Sequence, residues 1–262
     1  MPSHIFTRLG LWDESVESNV NSASSARCYS ESTDMDGYWA NELHAMGYLV
    51  YAYLQKGDNE KANEQYAYMK TMYNVYPSNI SAIVYPFAAI PCRITIENRQ
   101  WEKAANIEPH KSELDWKNYP WQQSLFHFTR AIGSIHLGDI EASENELEIL
   151  KKLEKQIEKE GNAFKIQQIK IHLKQIQGLI YLSKGNQMEG ISLLREAADM
   201  EDIIGVLGIS PSKIIPAREL LADALLKMDN SKSALIEYEL NLKSNPNRFN
   251  GIYGAAIAAK QS

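Results

Sequence analysis

Four of the six histidines in this 262-residue chain stand on stretches that each run into a short polar turn: His4, His44, His136 and His172. An imidazole can bind a metal ion, exchange a proton near neutral pH or hydrogen-bond a ligand. Counting back from the turns places the four histidines on one face of successive helices. His4 and His44 belong to adjacent helical pairs, which allows them to approach each other.

The same count adds further polar and aromatic side chains to this predicted binding face: Thr7, Arg8, Tyr51, Gln55, Arg93, Glu97, Gln175, Glu219, Asp223 and Lys227, with Phe128 nearby. Arginines in such a set can bind a carboxylate through two parallel hydrogen bonds. Arg218 and Arg248 have a second interpretation, in which they pair with Glu219 or Asp223 inside the scaffold. Most other tyrosines between residues 48 and 76 are expected in helix packing.

The sequence contains no recognised catalytic or metal-binding motif. It has no His-Glu-x-x-His, no glycine-rich phosphate loop and no Gly-x-Ser-x-Gly segment. The two cysteines, Cys28 and Cys92, lack the spacing of a metal pair or a disulfide framework. The run Asp34-Met35-Asp36-Gly37 resembles the start of a calcium loop but lacks the later acidic ligands, which favours a plain turn. We therefore expect no enzyme activity, no cofactor and no bound metal.

Six polar turns organise the chain around these side chains, each followed five residues later by a small residue. The turns centre on Gly10, Gly57, Arg99, Gly138, Gly185 and Asp229, and the small residues are Ser15, Ala62, Ala104, Ser143, Gly190 and Ala234. A small residue at this position lets two paired helices approach closely. The pattern predicts stacked antiparallel helical hairpins, an all-α solenoid that forms one domain over residues 1–262.

The turns predict six hairpins and a last, unpaired helix in a right-handed superhelix. The predicted pairs are 3–9 with 12–26, 38–56 with 59–73, a helix starting at Pro86 or Pro91 and ending at Glu97 with 101–108, 121–137 with 140–160, 164–184 with 188–200, and 217–228 with 231–244, before the helix 248–260. Proline fits the first turn of a helix, so we place the start of the first helix of the third pair at Pro86 or Pro91. The third unit, residues 81–120, is irregular. The short first arm predicts missing upstream repeats or packing of this end on another chain.

The repeat length is ambiguous between two helical-repeat classes. Successive turn positions are 39 to 47 residues apart, whereas a tetratricopeptide repeat has about 34 residues and a HEAT unit about 40–47. The residues around the turns are nevertheless typical of tetratricopeptide repeats: Leu49, Tyr53, Gly57, Ala62, Tyr66 and Pro77 in the second unit, and Ala234, Tyr238 and Pro246 in the sixth.

Several stretches together resemble a bacterial family of tetratricopeptide-repeat proteins whose function is uncharacterised. They are residues 1–10, 44–54, 89–93, 128–133, 216–221 and 246–256. In that family the Pro-Ser-His stretch sits inside a longer protein, so the resemblance implies that this chain matches a C-terminal part. A His-Pro motif would be expected near residue 207, where this chain has Leu207-Gly208-Ile209-Ser210-Pro211.

Composition excludes several classes of function. The formal net charge is −6, and Lys151, Lys152, Lys155 and Lys159 are interleaved with glutamates, unlike the basic stripe of a nucleic-acid-binding protein. No apolar run approaches the ~20 residues of a membrane-spanning helix. The start, Met1-Pro2-Ser3-His4, has no features of a signal peptide, so we expect a cytoplasmic protein.

These features predict a module that binds a protein or peptide segment on a concave groove. One alternative is a small-ligand or metal site built from the groove histidines. Another is a structural scaffold that forms homo-oligomers through its exposed N-terminal end. The histidines have a plainer interpretation too, because a half-buried amphipathic ring suits the lining of a groove.

Overall fold

The computed structural model describes residues 2–77, 81–110, 114–205, 210–211 and 213–262. Neighbouring helices pack in sequence order. The helices are α1 (Pro2–Arg8), α2 (Trp12–Ser32), α3 (Ala40–Gln55), α4 (Asn59–Met69), α5 (Ser81–Glu97), α6 (Trp101–Ala105), α7 (Pro120–His136), α8 (Ile140–Lys159), α9 (Ala163–Ser183), α10 (Gln187–Ile204), α11 (Ala217–Lys227), α12 (Ser231–Ser244) and α13 (Phe249–Gln261).

Two short strands and one short helix complete the regular elements of the described residues. Strands β1 (Tyr38–Trp39) and β2 (Val75–Tyr76) pair in parallel, and a 3-10 helix covers Trp116–Asn118. The predicted all-α fold of successive helical hairpins is thus confirmed. None of the described helices is both long and apolar enough to cross a membrane.

All six predicted turns separate two helices. Four of them hold a glycine with φ between +69° and +83°: Gly10, Gly57, Gly138 and Gly185. Glycine adopts this left-handed conformation without the steric cost of a Cβ atom. The other two turns place Arg99 and Asp229 at positive φ instead. The small residues after the turns are buried, as the pattern predicts.

The predicted start of the third unit is wrong. Helix α5 begins at Ser81 and runs through both Pro86 and Pro91. Each proline removes a helix hydrogen bond, but residues 83–97 are all buried. Phe87 and Ile90 belong to the core of the first units, whereas Tyr85 and Cys92 belong to the core of the later ones. Burial on every side therefore maintains the helix despite its two prolines.

Four predicted helix ends also differ from the structure. Helix α2 continues to Ser32, α4 ends at Met69, α6 ends at Ala105, and α10 continues to Ile204. A short α6 leaves α7 to cover the core of the third unit, where Gly133 of α7 lies directly against the α6 backbone.

The last helix is not unpaired. Helix α13 packs on α12, where Gly254 lies against the ring of Tyr238. The residues before α13 reach the first hairpin, since the Trp12 indole N–H donates to the Asn247 carbonyl at 2.9 Å and the Asn247 amide donates to the Gly10 carbonyl at 3.2 Å. The C-terminal end of the chain thus contacts its N-terminal end.

Candidate functional site

Arg248, which directly precedes α13, lies at the centre of the predicted binding face. Its guanidinium donates two hydrogen bonds to Glu219 of α11, at 2.6 and 2.9 Å, and one to Glu97 of α5, at 2.6 Å. The side chains of all three residues are nearly inaccessible to water. Burial raises the pKa of Glu97, and the Arg248 charge opposes that rise. This network joins the third unit, the sixth unit and the C-terminal segment.

Other predicted residues bind the same segment. The Tyr51 hydroxyl accepts from Arg248 at 3.5 Å, and the Gln55 side-chain carbonyl accepts the backbone N–H of Phe249 at 2.9 Å. The Asn250 amide donates to the Glu97 carboxylate at 2.9 Å. The polar groups of this part of the face are therefore engaged by the chain itself.

Of the two interpretations of Arg248, pairing inside the scaffold is confirmed, because it binds Glu219. Arg218 also pairs inside the scaffold, but not with the expected Glu219 or Asp223. Arg218 pairs with Asp199 and Asp202 at the end of α10 and with Glu237 of α12. Its side chain points away from the first helices of the hairpins, toward the second helices.

Arg93 is also buried, between the rings of Tyr51 and Tyr85, whose centroids lie 5.3 and 5.9 Å from its guanidinium carbon. It donates to the Tyr85 hydroxyl at 3.0 Å and to the Ser210 hydroxyl at 3.3 Å. Ser210 precedes α11, so the connection between α10 and α11 extends to α5. Residues 207–209 of the expected His-Pro region lie outside the described residues.

An open pocket lies where α7, α9 and α11 end at their turns. Its volume is about 220 Å³. Apolar side chains form most of the lining, joined by five polar ones: Ile135, Leu179, Leu182, Leu220, Ala224 and Met228, with His136, Ser183, Gln187, Asp223 and Lys227. We call this cavity the turn-end pocket. It brings together His136, Asp223 and Lys227, three residues of the predicted binding face.

Burial shifts the pKa values of two ionisable groups in the turn-end pocket, Asp223 and His136. Desolvation raises the pKa of Asp223 to about 6, although Arg99 lies 3.5 Å away and favours its charged form. The Tyr238 hydroxyl donates to the same carboxyl group. Desolvation, followed by the charges of Lys227 and Arg99, lowers the pKa of His136 to about 4. At neutral pH the His136 imidazole is therefore neutral, Lys227 lines the pocket, and Arg99 lies beside it against Asp223.

His136 is held in place by an aromatic stack. Its ring lies 3.8 Å from the ring of Trp101, with an angle of 7° between the two planes. Trp101 is the first residue of α6, so the third unit forms part of the pocket's support. The sequence count found neither Trp101 nor Arg99, because Arg99 lies in a turn and Trp101 follows it, whereas the count covers only residues that precede a turn.

His4 and His44 do come together, as their adjacent hairpins allow. Their Nε2 atoms are 3.1 Å apart, and Tyr48 stacks on the His4 ring at 4.6 Å. Arg8, one helical turn after His4, is exposed. Tyr48, expected only in packing, is thus a third member of this cluster.

His172 lies apart from the other three histidines of the face. Its ring stacks on Phe128 at 4.0 Å, between α9 and α7. Burial lowers the pKa of His172 to about 3. Its Nδ1 atom and both polar atoms of Gln175 are buried and make no hydrogen bond. The predicted binding face is therefore split into a closed centre, an open pocket, a histidine pair and a buried histidine.

Comparison with known proteins gives no relative for this arrangement. No family model matches the chain. No curated protein and no solved structure matches it either. The resemblance to bacterial tetratricopeptide-repeat proteins therefore stays a prediction, and functional arguments rest on the geometry.

Proposed function

We propose that this chain is a helical-repeat module that binds a peptide or protein segment, and that the turn-end pocket takes the segment's anchoring side chain. The observation that carries the proposal is an open apolar cavity with a charged rim, built from three successive first helices. The centre of the predicted binding face is engaged by residues 248–250 and Ser210. A partner would therefore bind at the turn ends rather than across the centre.

The size of the pocket favours a side chain over a whole small molecule. Small-molecule sites have volumes of about 300–1,000 Å³, and the turn-end pocket has about 220 Å³. Protein interfaces gain most of their affinity from a few large anchors in such pockets, surrounded by a polar rim. Leu179, Leu220 and Ala224 would contact the anchor through their apolar side chains.

The rim indicates the chemistry beside the anchor. Lys227 and Arg99 are cationic, and both act on the pKa of His136. One carboxylate, Asp223, is already paired with Arg99 and Tyr238. A partner segment with an acidic residue next to a leucine or phenylalanine would complement Lys227, although the chain as a whole is negative.

The test is a peptide-display selection with the full chain, followed by measurement of dissociation constants by fluorescence anisotropy. We expect peptides with an apolar residue beside an acidic one, and Lys227→Glu should weaken their binding about tenfold or more. Lys232→Glu is the matched control, since Lys232 is exposed on the same hairpin, on α12, outside the pocket. Equal binding by the unsubstituted chain, Lys227→Glu and His136→Ala would refute the assignment of the pocket.

A further inference from the structure

Two imidazole nitrogens lie close together at the N-terminal end of the fold. His4 lies in the middle of α1 and His44 near the start of α3, and their Nε2 atoms are 3.1 Å apart. Their ring centroids are 5.3 Å apart and the ring planes meet at 66°, so the two rings approach through their edges. The two Nε2 atoms therefore face each other at the distance of an N–H···N hydrogen bond.

This separation suits a shared metal ion. Imidazole nitrogens bind Zn²⁺ at about 2.0–2.1 Å, so two of them lie roughly 3.3 Å apart at a tetrahedral ion and roughly 2.9 Å apart at a square-planar one. The observed 3.1 Å falls between these two values. An ion would replace the hydrogen bond and lie beside the line that joins the two nitrogens, so both rings would turn when it binds.

Tyr48 fixes the geometry of the pair in advance. It follows His44 by four residues on α3, so the two side chains share one helix face. Its ring stacks on His4 with an interplanar angle of 7° and meets the His44 ring edge-on, with centroids 5.2 Å apart. Tyr48 itself is 2% exposed. Because one buried ring supports both imidazoles, little side-chain freedom remains to be lost when an ion binds.

A neutral imidazole has a lone pair on one ring nitrogen, and this lone pair can bind a metal ion. Burial lowers the pKa of His44, and burial followed by the nearby His44 lowers that of His4 to about 4. In the metal-free pair, one Nε2–H donates to the other Nε2 atom. On metal binding the donor ring moves its proton to Nδ1, and no proton needs to be released.

We propose that His4 and His44 form a two-histidine binding site for a first-row transition metal ion, with Cu²⁺ bound most tightly and Zn²⁺ more weakly. Imidazole ligands suit both ions, and Cu²⁺ gives the stronger complexes with nitrogen donors. Water or an external ligand completes the coordination, since the described residues contain no cluster of three or more His, Cys, Asp and Glu side chains.

Positive charges near the pair oppose the ion: the N-terminal ammonium group and Arg8 both lower the pKa of His4. Arg8 follows His4 by one turn of α1, and its positive charge is among the causes that lower the pKa of His4. Removing that charge should tighten metal binding without touching either ligand. Arg8→Ala should therefore raise the metal affinity, whereas loss of either histidine should lower it.

The test is a Cu²⁺ titration of the full, untagged chain by calorimetry, with electron paramagnetic resonance of the complex. We expect one ion per chain and hyperfine coupling to two imidazole nitrogens. His4→Ala and His44→Ala should each weaken binding at least about tenfold, and Arg8→Ala should tighten it. His127→Ala is the matched control and should leave Cu²⁺ binding unchanged, because its Nδ1 atom is hydrogen-bonded to Glu146 of α8, outside the pair.

Several outcomes would overturn the site. The absence of Cu²⁺ binding, a spectrum with one coordinated imidazole, or unchanged affinity in either His4→Ala or His44→Ala would each do so. Circular dichroism of each variant separates loss of a ligand from loss of the fold. Since His4 is only half-buried in the first helix, His4→Ala provides the decisive arm if His44→Ala fails to fold.

Discussion

Arg248 joins parts of the chain that lie far apart in the sequence. It binds Glu97, 151 residues away, and Glu219, 29 residues away, with 1% of its side chain exposed. We expect Arg248→Ala to lower the free energy of unfolding by about 3–5 kcal/mol, because two buried carboxylates then lose their cation. Urea denaturation followed by circular dichroism measures this change.

Arg99→Ala is the control for that experiment. Arg99 also pairs with a carboxylate, Asp223, but at 3.5 Å and with 49% of its side chain exposed. Such a pair contributes about 1 kcal/mol or less. If both substitutions cost the same small amount, the Arg248 network does not stabilise the fold as described.

Some of these side-chain contacts could be predicted from the sequence. Pairing of Arg248 with Glu219 was one of two open interpretations, because acid and base recur on the sixth unit and the segment after it. The contact with Glu97 was not predictable, since it requires the end of the chain to reach the third unit. Tyr48 was missed for a related reason: helix periodicity gives a face, but not which ring of an adjacent hairpin stacks on it.

Two glycines inside helices look alike in the sequence but differ in how closely a neighbouring helix approaches them. Gly133 in α7 lies against α6, where an added Cβ atom would stand 2.8 Å from the Trp101 carbonyl oxygen. Gly47 in α3 has room, with its nearest neighbours, side-chain atoms of Pro86, at 3.8 Å. The two positions therefore predict opposite effects of the same substitution.

We expect Gly133→Ala to destabilise the protein by about 1–3 kcal/mol, because α6 must move away from α7. Gly47→Ala should stabilise it by up to about 1 kcal/mol, since alanine favours a helix more than glycine does. Thermal unfolding of both variants beside the unsubstituted chain measures the two shifts. Shifts of the same sign would contradict the packing of α6 on α7.

Helix positions could be predicted well where a polar turn sets the end of an amphipathic run. Helices α7, α8 and α11 begin and end within about one residue of the predicted bounds. The prediction was wrong for α5, because proline was taken as a start signal. Local propensity carries no information about tertiary packing. Helix α5 lies between two cores, and the burial of its apolar side chains outweighs the two missing hydrogen bonds.

The whole molecule differs from an open stack of hairpins in that its two ends touch. Terminal repeats of a solenoid contact only one neighbour and are its least stable part. Here Gly10, in the first turn, faces the segment before α13, and an added Cβ atom would lie against the Pro246 carbonyl and 2.9 Å from the Asn247 Cβ atom. This contact could not be read from the repeat pattern, which describes each hairpin and its neighbour but not the number of units needed to bring the ends together.

Hydrogen exchange can test whether the contact stabilises both ends together. Gly10→Ala should raise amide exchange in α1 and also in α13, more than 230 residues later, because the new methyl group separates them. Gly185→Ala is the matched control: its φ is +83°, against +69° for Gly10, but nothing lies within 4 Å of an added Cβ atom. Both substitutions carry the strain of a left-handed alanine, about 1–2 kcal/mol. Faster exchange confined to α1 in Gly10→Ala would mean that the ends touch without stabilising each other. Faster exchange of α13 in Gly10→Ala but not in Gly185→Ala would show that the contact between the two ends couples the first and last helices.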